Sequence, residues 1–279
     1  MTSSTGAITT YRQFLRAEPP RKRLRAALRD VAVGTLSLGR TVPATGSWIR
    51  FPYYHHVFED EREGFTAHLR FMRNHGEFIG IDGAIDMLAS EEPIDGRFFC
   101  ISFDDGLRNC LTNALPILSA LQAPAALFIA TDYVGASPQT TPELCRRFFD
   151  GRPVMLDFLT WDDCREMVEA GMTLGSHTAS HAHLIDCTRE QVEQEMRRSK
   201  AAIEEQLGRT CDHFCCPNGQ PGVDFLVERD PALAEAAGYR SFLTTRRGSV
   251  HRRPSPYLLE RDKMIAAWGV YQLRYFFSR

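Results

Sequence analysis

Two carboxylates stand side by side at Asp104-Asp105, directly after an apolar run and directly before Gly106. Adjacent like charges repel in a confined site unless a cation shares them. The glycine permits a sharp turn at that point. The same residues also suit N-capping of a following helix, and this motif alone leaves both readings open. A second run, Gly175-Ser176-His177-Thr178-Ala179-Ser180-His181, follows another strand-like segment. Histidines four apart share one face if the turn is helical, so both imidazoles can reach one ion. Alone, they fit two independent surface or capping histidines equally well. His183 follows closely and reads as a supporting or surface residue.

The two motifs together are more specific than either half. Two imidazoles and one carboxylate form a facial set that leaves positions open for water and a substrate oxygen. A cation held there lowers the pKa of water and polarises a carbonyl under attack. The second aspartate, free of ligation, can accept the proton.

The elements that must position these residues alternate between strand and helix. Strands are expected over 48–57, 77–81, 98–103, 125–130, 172–176, 213–216, 241–245 and 255–259. Helices are expected over 63–75, 82–89, 109–121, 161–170, 188–207, 231–237 and 262–277. Repeated βα units imply parallel strands with right-handed crossovers. The pattern predicts an α/β fold, a distorted or incomplete (β/α)7 barrel spanning 47–279. Reactive residues of such barrels gather at the C-terminal ends of strands, and both motifs fall there. Residues 131–159 form a long irregular connection, suited to a lid or the wall of a cleft.

Residues 1–46 read as a basic N-terminal appendage. Arg21, Lys22, Arg23, Arg25 and Arg29 cluster there, with Leu24, Leu28 and Val31 at helical spacing. Such a helix fits an anionic membrane surface as a peripheral contact. The favoured reading is a solvated helix packed on its own domain by that narrow stripe. The C-terminal helix, carrying Trp268, Tyr271, Tyr275, Phe276 and Phe277, is expected to pack on the barrel rather than on a second subunit.

Ser102-Phe103-Asp104-Asp105-Gly106 followed by His177-Thr178-x-x-His181 resembles the polysaccharide deacetylase family, also called NodB-homology or carbohydrate esterase family four. Tyr54-His55-His56-Val57 is similar to the Tyr-His-x-Val near the start of many members. The likeness covers about residues 48–262. It implies a distorted (β/α) barrel of the NodB-homology type and metal-dependent removal of N-acetyl groups from amino sugars. It implies Asp104 as base, with Asp105, His177 and His181 as ligands of a divalent metal, zinc foremost, with other divalent transition metals fitting too.

The later family motifs diverge. Phe214-Cys215-Cys216-Pro217-Asn218-Gly219 stands where a Phe-Arg-Pro-Pro-Tyr-Gly variant is usual. Cys215 replaces the arginine that orients the base, so that support must come from elsewhere. Asn218 replaces the tyrosine whose backbone N–H helps stabilise the oxyanion, a role any non-proline residue can fill. Pro217, Asn218 and Gly219 are therefore expected at the substrate. No tryptophan occurs within 230–245, where the fourth motif has one. The last motif, Leu-x-His, reads Leu259-Glu260-Arg261. Arginine is no general acid near neutral pH. His55, His56 and His251 are the replacements available, and His55, at the end of a strand, is preferred. Arg261 is expected either to bind an anionic substrate group or to pair with a nearby acid.

Composition narrows the class. The 279 residues carry a net charge of -2, with no basic field to favour nucleic acid. No apolar run reaches membrane-spanning length, and no secretory signal pattern precedes Arg50. The eight cysteines are scattered, without a C-x2-C pair, as in a reducing compartment. The chain is thus expected in the cytoplasm. It is expected to act as a hydrolase on carbon-nitrogen bonds of an N-acetylated carbohydrate or carrier-linked sugar. Two alternatives stand beside this: a catalytically impaired carbohydrate-binding or scaffold protein, and an O-acetyl esterase or non-sugar amidase.

Overall fold

The computed structural model describes residues 7–149, 154–251 and 255–278. The elements, in chain order, are α1 (Tyr11–Ala17), α2 (Pro20–Leu36), β1 (Trp48–Arg50), β2 (Pro52–Tyr54), α3 (Arg62–Arg73), β3 (Glu77–Phe78), α4 (Ile81–Ala89), β4 (Arg97–Phe99) and β5 (Ile101–Phe103). They continue with α5 (Leu115–Ala120), β6 (Ala125–Ile129), α6 (Pro142–Phe148), α7 (Trp161–Glu169), β7 (Thr173–Ser176), α8 (Arg189–Leu207) and β8 (His213–Cys215). The chain closes with α9 (Asp230–Ala236), β9 (Ser241–Leu243), β10 (Asp262–Lys263) and α10 (Val270–Phe277).

Seven strands form one all-parallel sheet in the order β10-β2-β5-β6-β7-β8-β9. No ladder joins β9 to β10; a single bridge, Leu243 to Leu259, spans that seam. This is the expected incomplete barrel. The interior is filled by Phe51, Cys100, Phe128, Cys215 and Leu243 among others, and all eight cysteines are free thiols.

The strand expected over 98–103 is two strands. β4 pairs with β1 and β3 in a small side sheet, and β5 lies in the barrel. The chain crosses between sheets at Cys100, whose N–H donates to Arg50 O. The 48–57 strand breaks the same way at Phe51. Both breaks lie in buried segments, so the apolar run continues through them.

The helix expected over 262–277 is confined to Val270–Phe277. Asp262-Lys263 is instead an edge strand on β2, with Asp262 N–H on Phe51 O and Met264 N–H on Tyr53 O. The strand expected over 255–259 is a 3-10 turn at Pro256–Leu258. The irregular stretch 131–159 holds α6, which starts with Pro142 and buries Cys145.

Helix formation elsewhere follows local chemistry. Thr188 caps α8 with its hydroxyl on Gln191 N–H, and Gly208 ends it in the left-handed region. α3 buries Phe65, His68, Leu69 and Met72 on one face. The stripe on α2 does the opposite of the favoured expectation. Leu24, Leu28 and Val31 are 62%, 62% and 67% exposed. α2 packs through its other face, with Val33 buried and Arg29 5.1 Å over the Trp268 ring. α10 packs on its own domain, with Phe277 against Phe99 of the side sheet. No helix among the described residues is long and apolar enough to cross a membrane.

Candidate metal centre

β5 ends at Phe103 and delivers Asp104 and Asp105 to the C-terminal mouth of the barrel. Asp105 has a φ of 75°, and Gly106 follows at 77°. A Cβ on Gly106 would lie 3.1 Å from Ile129 Cγ2, so glycine is needed for both torsion and space. β7 delivers His177 beside them. Four of the five non-glycine residues with positive φ among those described are Asp105, Thr178, His181 and Asn218. All four lie in the motifs at this mouth, where strain of that kind tends to be kept for function.

The three expected ligands converge. His177 Nε2 and His181 Nε2 each lie 3.5 Å from Asp105 Oδ1. The three donor atoms fall within 4.8 Å of one another. His177 Nδ1 donates to Cys215 O at 2.8 Å. That bond fixes the tautomer and leaves the Nε2 lone pair toward Asp105. Two imidazole nitrogens and one carboxylate oxygen suit zinc and related divalent metals. Burial raises the Asp105 carboxyl, but His55, His177 and His181 overcome it and hold it well below the usual range.

The histidine loop is not the helical turn that the four-residue spacing suggested. Residues 177–183 form bends and extended backbone, with Thr178 and His181 left-handed. Glu195 of α8 clamps the loop. Its Oε2 accepts the N–H groups of Ala179 and Ser180 at 2.9 and 2.8 Å, and its Oε1 accepts Ser180 Oγ at 3.0 Å. Nothing in the sequence marks Glu195, which sits in a helix crowded with Glu, Gln and Arg. His183 lies outside the set, held between Asp186 and Asp224.

A second group, Asp104, His177 and Cys215, is equally compact. It is the poorer donor set. Burial drives the Cys215 thiol well up, so it stays protonated and points at Asp104 Oδ1 from 3.6 Å. Both Asp104 oxygens are already engaged, as described below.

The centre opens into a cavity of about 550 Å³. His55, Asn218 and Lys263 line it, with rings of Tyr11, Phe14, Tyr53 and Phe148 around them. The 131–159 connection supplies Phe148 and Phe149, the cleft wall expected of it. The N-terminal segment contributes too: Tyr11 N–H donates to Asp60 Oδ1 at 2.6 Å, and Phe14 sits on His56 and Phe58.

Residues 92–241, more than half of the chain, match the family model described as polysaccharide deacetylase. The chain belongs to the polysaccharide deacetylase family. Members are hydrolases acting on acetyl groups of carbohydrates, and they use a divalent metal. YxkH of Bacillus subtilis (strain 168), whose name places it among the polysaccharide deacetylases, is 24% identical over 216 residues, 75% of this chain and 69% of that one. In fold the chain is similar to the deacetylase PplD of Streptococcus pyogenes, at 20% identity and a TM-score of 0.67, over 84% of this chain and 99% of that one. IcaB of Ammonifex degensii gives 20% identity and a TM-score of 0.69 over the same shares.

Against the family pattern, the structure explains the missing arginine at Cys215. Arg261 Nη1 and Nη2 donate to Asp104 Oδ1 and Oδ2, both at 2.8 Å. Its Nε donates to Thr244 O at 2.8 Å, and its guanidinium lies 4.0 Å over the Tyr53 ring. The side chain is 0% exposed. Of the two roles the sequence left open for Arg261, the acid pair is the one present; contact with an anionic substrate is closed off by burial. Burial raises the Asp104 carboxyl, but the guanidinium outweighs it and holds the group below its ordinary value.

The third-motif residues divide. Only Asn218 reaches the cavity; Pro217 and Gly219 are buried behind it and shape the turn. Among the described residues none accepts the Asn218 N–H. His55 lies on the cavity, 5.5 Å from the Tyr53 ring, and burial pushes its imidazole down to about 4 despite Asp105 and Asp104. His56 is tied to Glu61 at 3.0 Å and His251 to Ser249 at 2.8 Å.

Proposed function

We propose that this chain removes an N-acyl group, N-acetyl foremost, from an amino sugar in a polymer or a carrier-linked precursor. The observation that carries the reading is the convergence of Asp105, His177 and His181 beside an Asp104 held at both oxygens by Arg261. A structural metal site has no use for a second carboxylate oriented in this way.

Asp105, His177 and His181 would hold the ion, with zinc as the metal we propose. A divalent cation supplies a Lewis acid and acidifies water. Asp104 takes the proton of the attacking water; Arg261 uses one lone-pair direction on each carboxylate oxygen and leaves the others open. The water oxygen bonds to the acyl carbon, and the Asn218 N–H meets the oxyanion that forms. The C–N bond then breaks with its electron pair on nitrogen, and the proton taken up by Asp104 passes to that nitrogen through the His55 ring. Negative charge building on the substrate favours the charged form of that ring. Acetate and the free amine leave.

The test compares two variants. Asp105→Ala should lose both bound metal and acetate release. Asp104→Asn should keep stoichiometric metal and lose acetate release by about 10²-fold or more. Full hydrolysis by Asp104→Asn would refute the mechanism.

A further inference from the structure

We infer that Lys263 is the cation with which this cleft recognises a negatively charged oxygen, carboxylate or phosphate, on or beside the acetylated sugar. The inference deepens the deacetylase reading and rests on it.

Placement comes first. Lys263 pairs in register with Tyr53 at the edge of the barrel. It lies two residues beyond Arg261, and residues i and i+2 of an extended chain share a face. Arg261 therefore reaches Asp104 from beneath the mouth, and Lys263 stands one pleat higher, on the cavity lined by Asp104, Asp105, His177, His181 and Asn218. Its backbone is fixed: Arg247 Nη2 donates to Lys263 O at 2.9 Å, and the next residue, Met264, donates to Tyr53 O at 2.8 Å. The side chain is exposed to the cleft.

The charge balance comes second. Every acid on the cavity already has a partner. Asp104 is matched by Arg261 at 2.8 Å and Glu18 by Lys22 at 3.5 Å, while Asp105 faces His177 and His181 at 3.5 Å, where a divalent cation would be held. The neighbouring cations are also committed, Arg247 to Asp262 and Arg50 to Asp262, both at 2.9 Å. Among the described residues Lys263 makes no ion pair of its own; burial works against its charge, and Asp105 and Asp104 offset this only from beyond salt-bridge distance, so an anionic oxygen entering the cleft would be its first direct partner. An ammonium in a cleft walled by aromatic rings suits a sugar carrying an anionic oxygen.

The test uses three probes: neutral N-acetylglucosamine, N-acetylglucosamine 1-phosphate and N-acetylmuramic acid. Each is titrated by calorimetry into zinc-loaded protein carrying Asp104→Asn, which prevents turnover. At least one anionic probe should bind about 10-fold tighter than the neutral one, a gap of about 1.4 kcal/mol. Preference for the phosphate points to a carrier-linked sugar, and preference for the carboxylate to an acidic sugar. Adding Lys263→Met should bring the ratio to within about two-fold of unity, and Lys263→Arg should keep most of it. Equal binding of all three probes, or a preference that survives Lys263→Met, overturns the inference. Acetate release by the wild-type protein is measured in parallel. Its absence alongside an intact binding preference would reject the deacetylase reading and spare this one.

Discussion

The Arg261 guanidinium grips both oxygens of Asp104 at 2.8 Å from 157 positions away in the chain. It thereby fills the place left by Cys215, whose thiol lies 3.6 Å from the same carboxylate. Asp104 is thus held by the residue just before β10 instead of from β8. A buried carboxylate stripped of its cation typically costs about 3–5 kcal/mol, so Arg261 serves folding and orientation together.

Arg261→Lys separates the two roles. It keeps a positive charge and loses the two-point grip. We expect kcat to fall about 10²-fold with KM changed less than about three-fold, the pattern of a misdirected base. Arg261→Met should also move the acid limb of the kcat profile upward, because the guanidinium that holds Asp104 down is gone and burial then dominates. Unchanged kcat in Arg261→Lys would show that the grip is structural only.

His55 is tested through the leaving group. A departing sugar amine needs a proton, whereas an aryl oxide leaves without one. His55→Gln should lower acetate release from an N-acetyl sugar about 10²-fold and from an aryl acetate less than about five-fold. Equal losses on both substrates would assign the ring to binding, and no loss on either would remove it from the reaction.

The candidate trio of Asp105, His177 and His181 was legible because its two motifs are short and each directly follows an apolar strand. The geometry behind it was not. His177 and His181 reach one oxygen through a strained loop clamped by Glu195, and nothing in the α8 run of Glu, Gln and Arg marks Glu195 as different. Arg261 was visible as an anomaly in Leu259-Glu260-Arg261, yet only the fold brings β10 within reach of β5. The split of 98–103 into β4 and β5 escaped notice because both sides of Cys100 are buried, which erases any polar mark of the sheet change. The mistaken helix over 262–277 has a similar cause: Asp262 looks like a surface residue, but it is buried between Arg50 and Arg247.

His68 makes the fold sensitive to acid independently of the metal centre. Its Nε2 donates to Trp268 O at 2.8 Å, and its Nδ1 accepts from Tyr54 OH at 3.1 Å. Those partners suit the neutral ring, and burial pushes its pKa from 6.5 down to about 4, with the Trp268 bond offsetting only part. The folded state therefore binds this proton less well than the unfolded state. The stability it contributes is complete above about pH 6.5 and is lost as pH falls through 4. A shift of that size corresponds to about 3 kcal/mol at most. His68→Gln supplies an amide that can donate to Trp268 O and accept from Tyr54 without titrating. Urea unfolding in excess chelator, at intervals from pH 7.5 to 4, should show wild type losing stability relative to His68→Gln by up to that amount, chiefly between pH 6.5 and 4. A stability difference that stays flat across the range would mean that His68 is protonated in the folded protein as readily as in the unfolded chain.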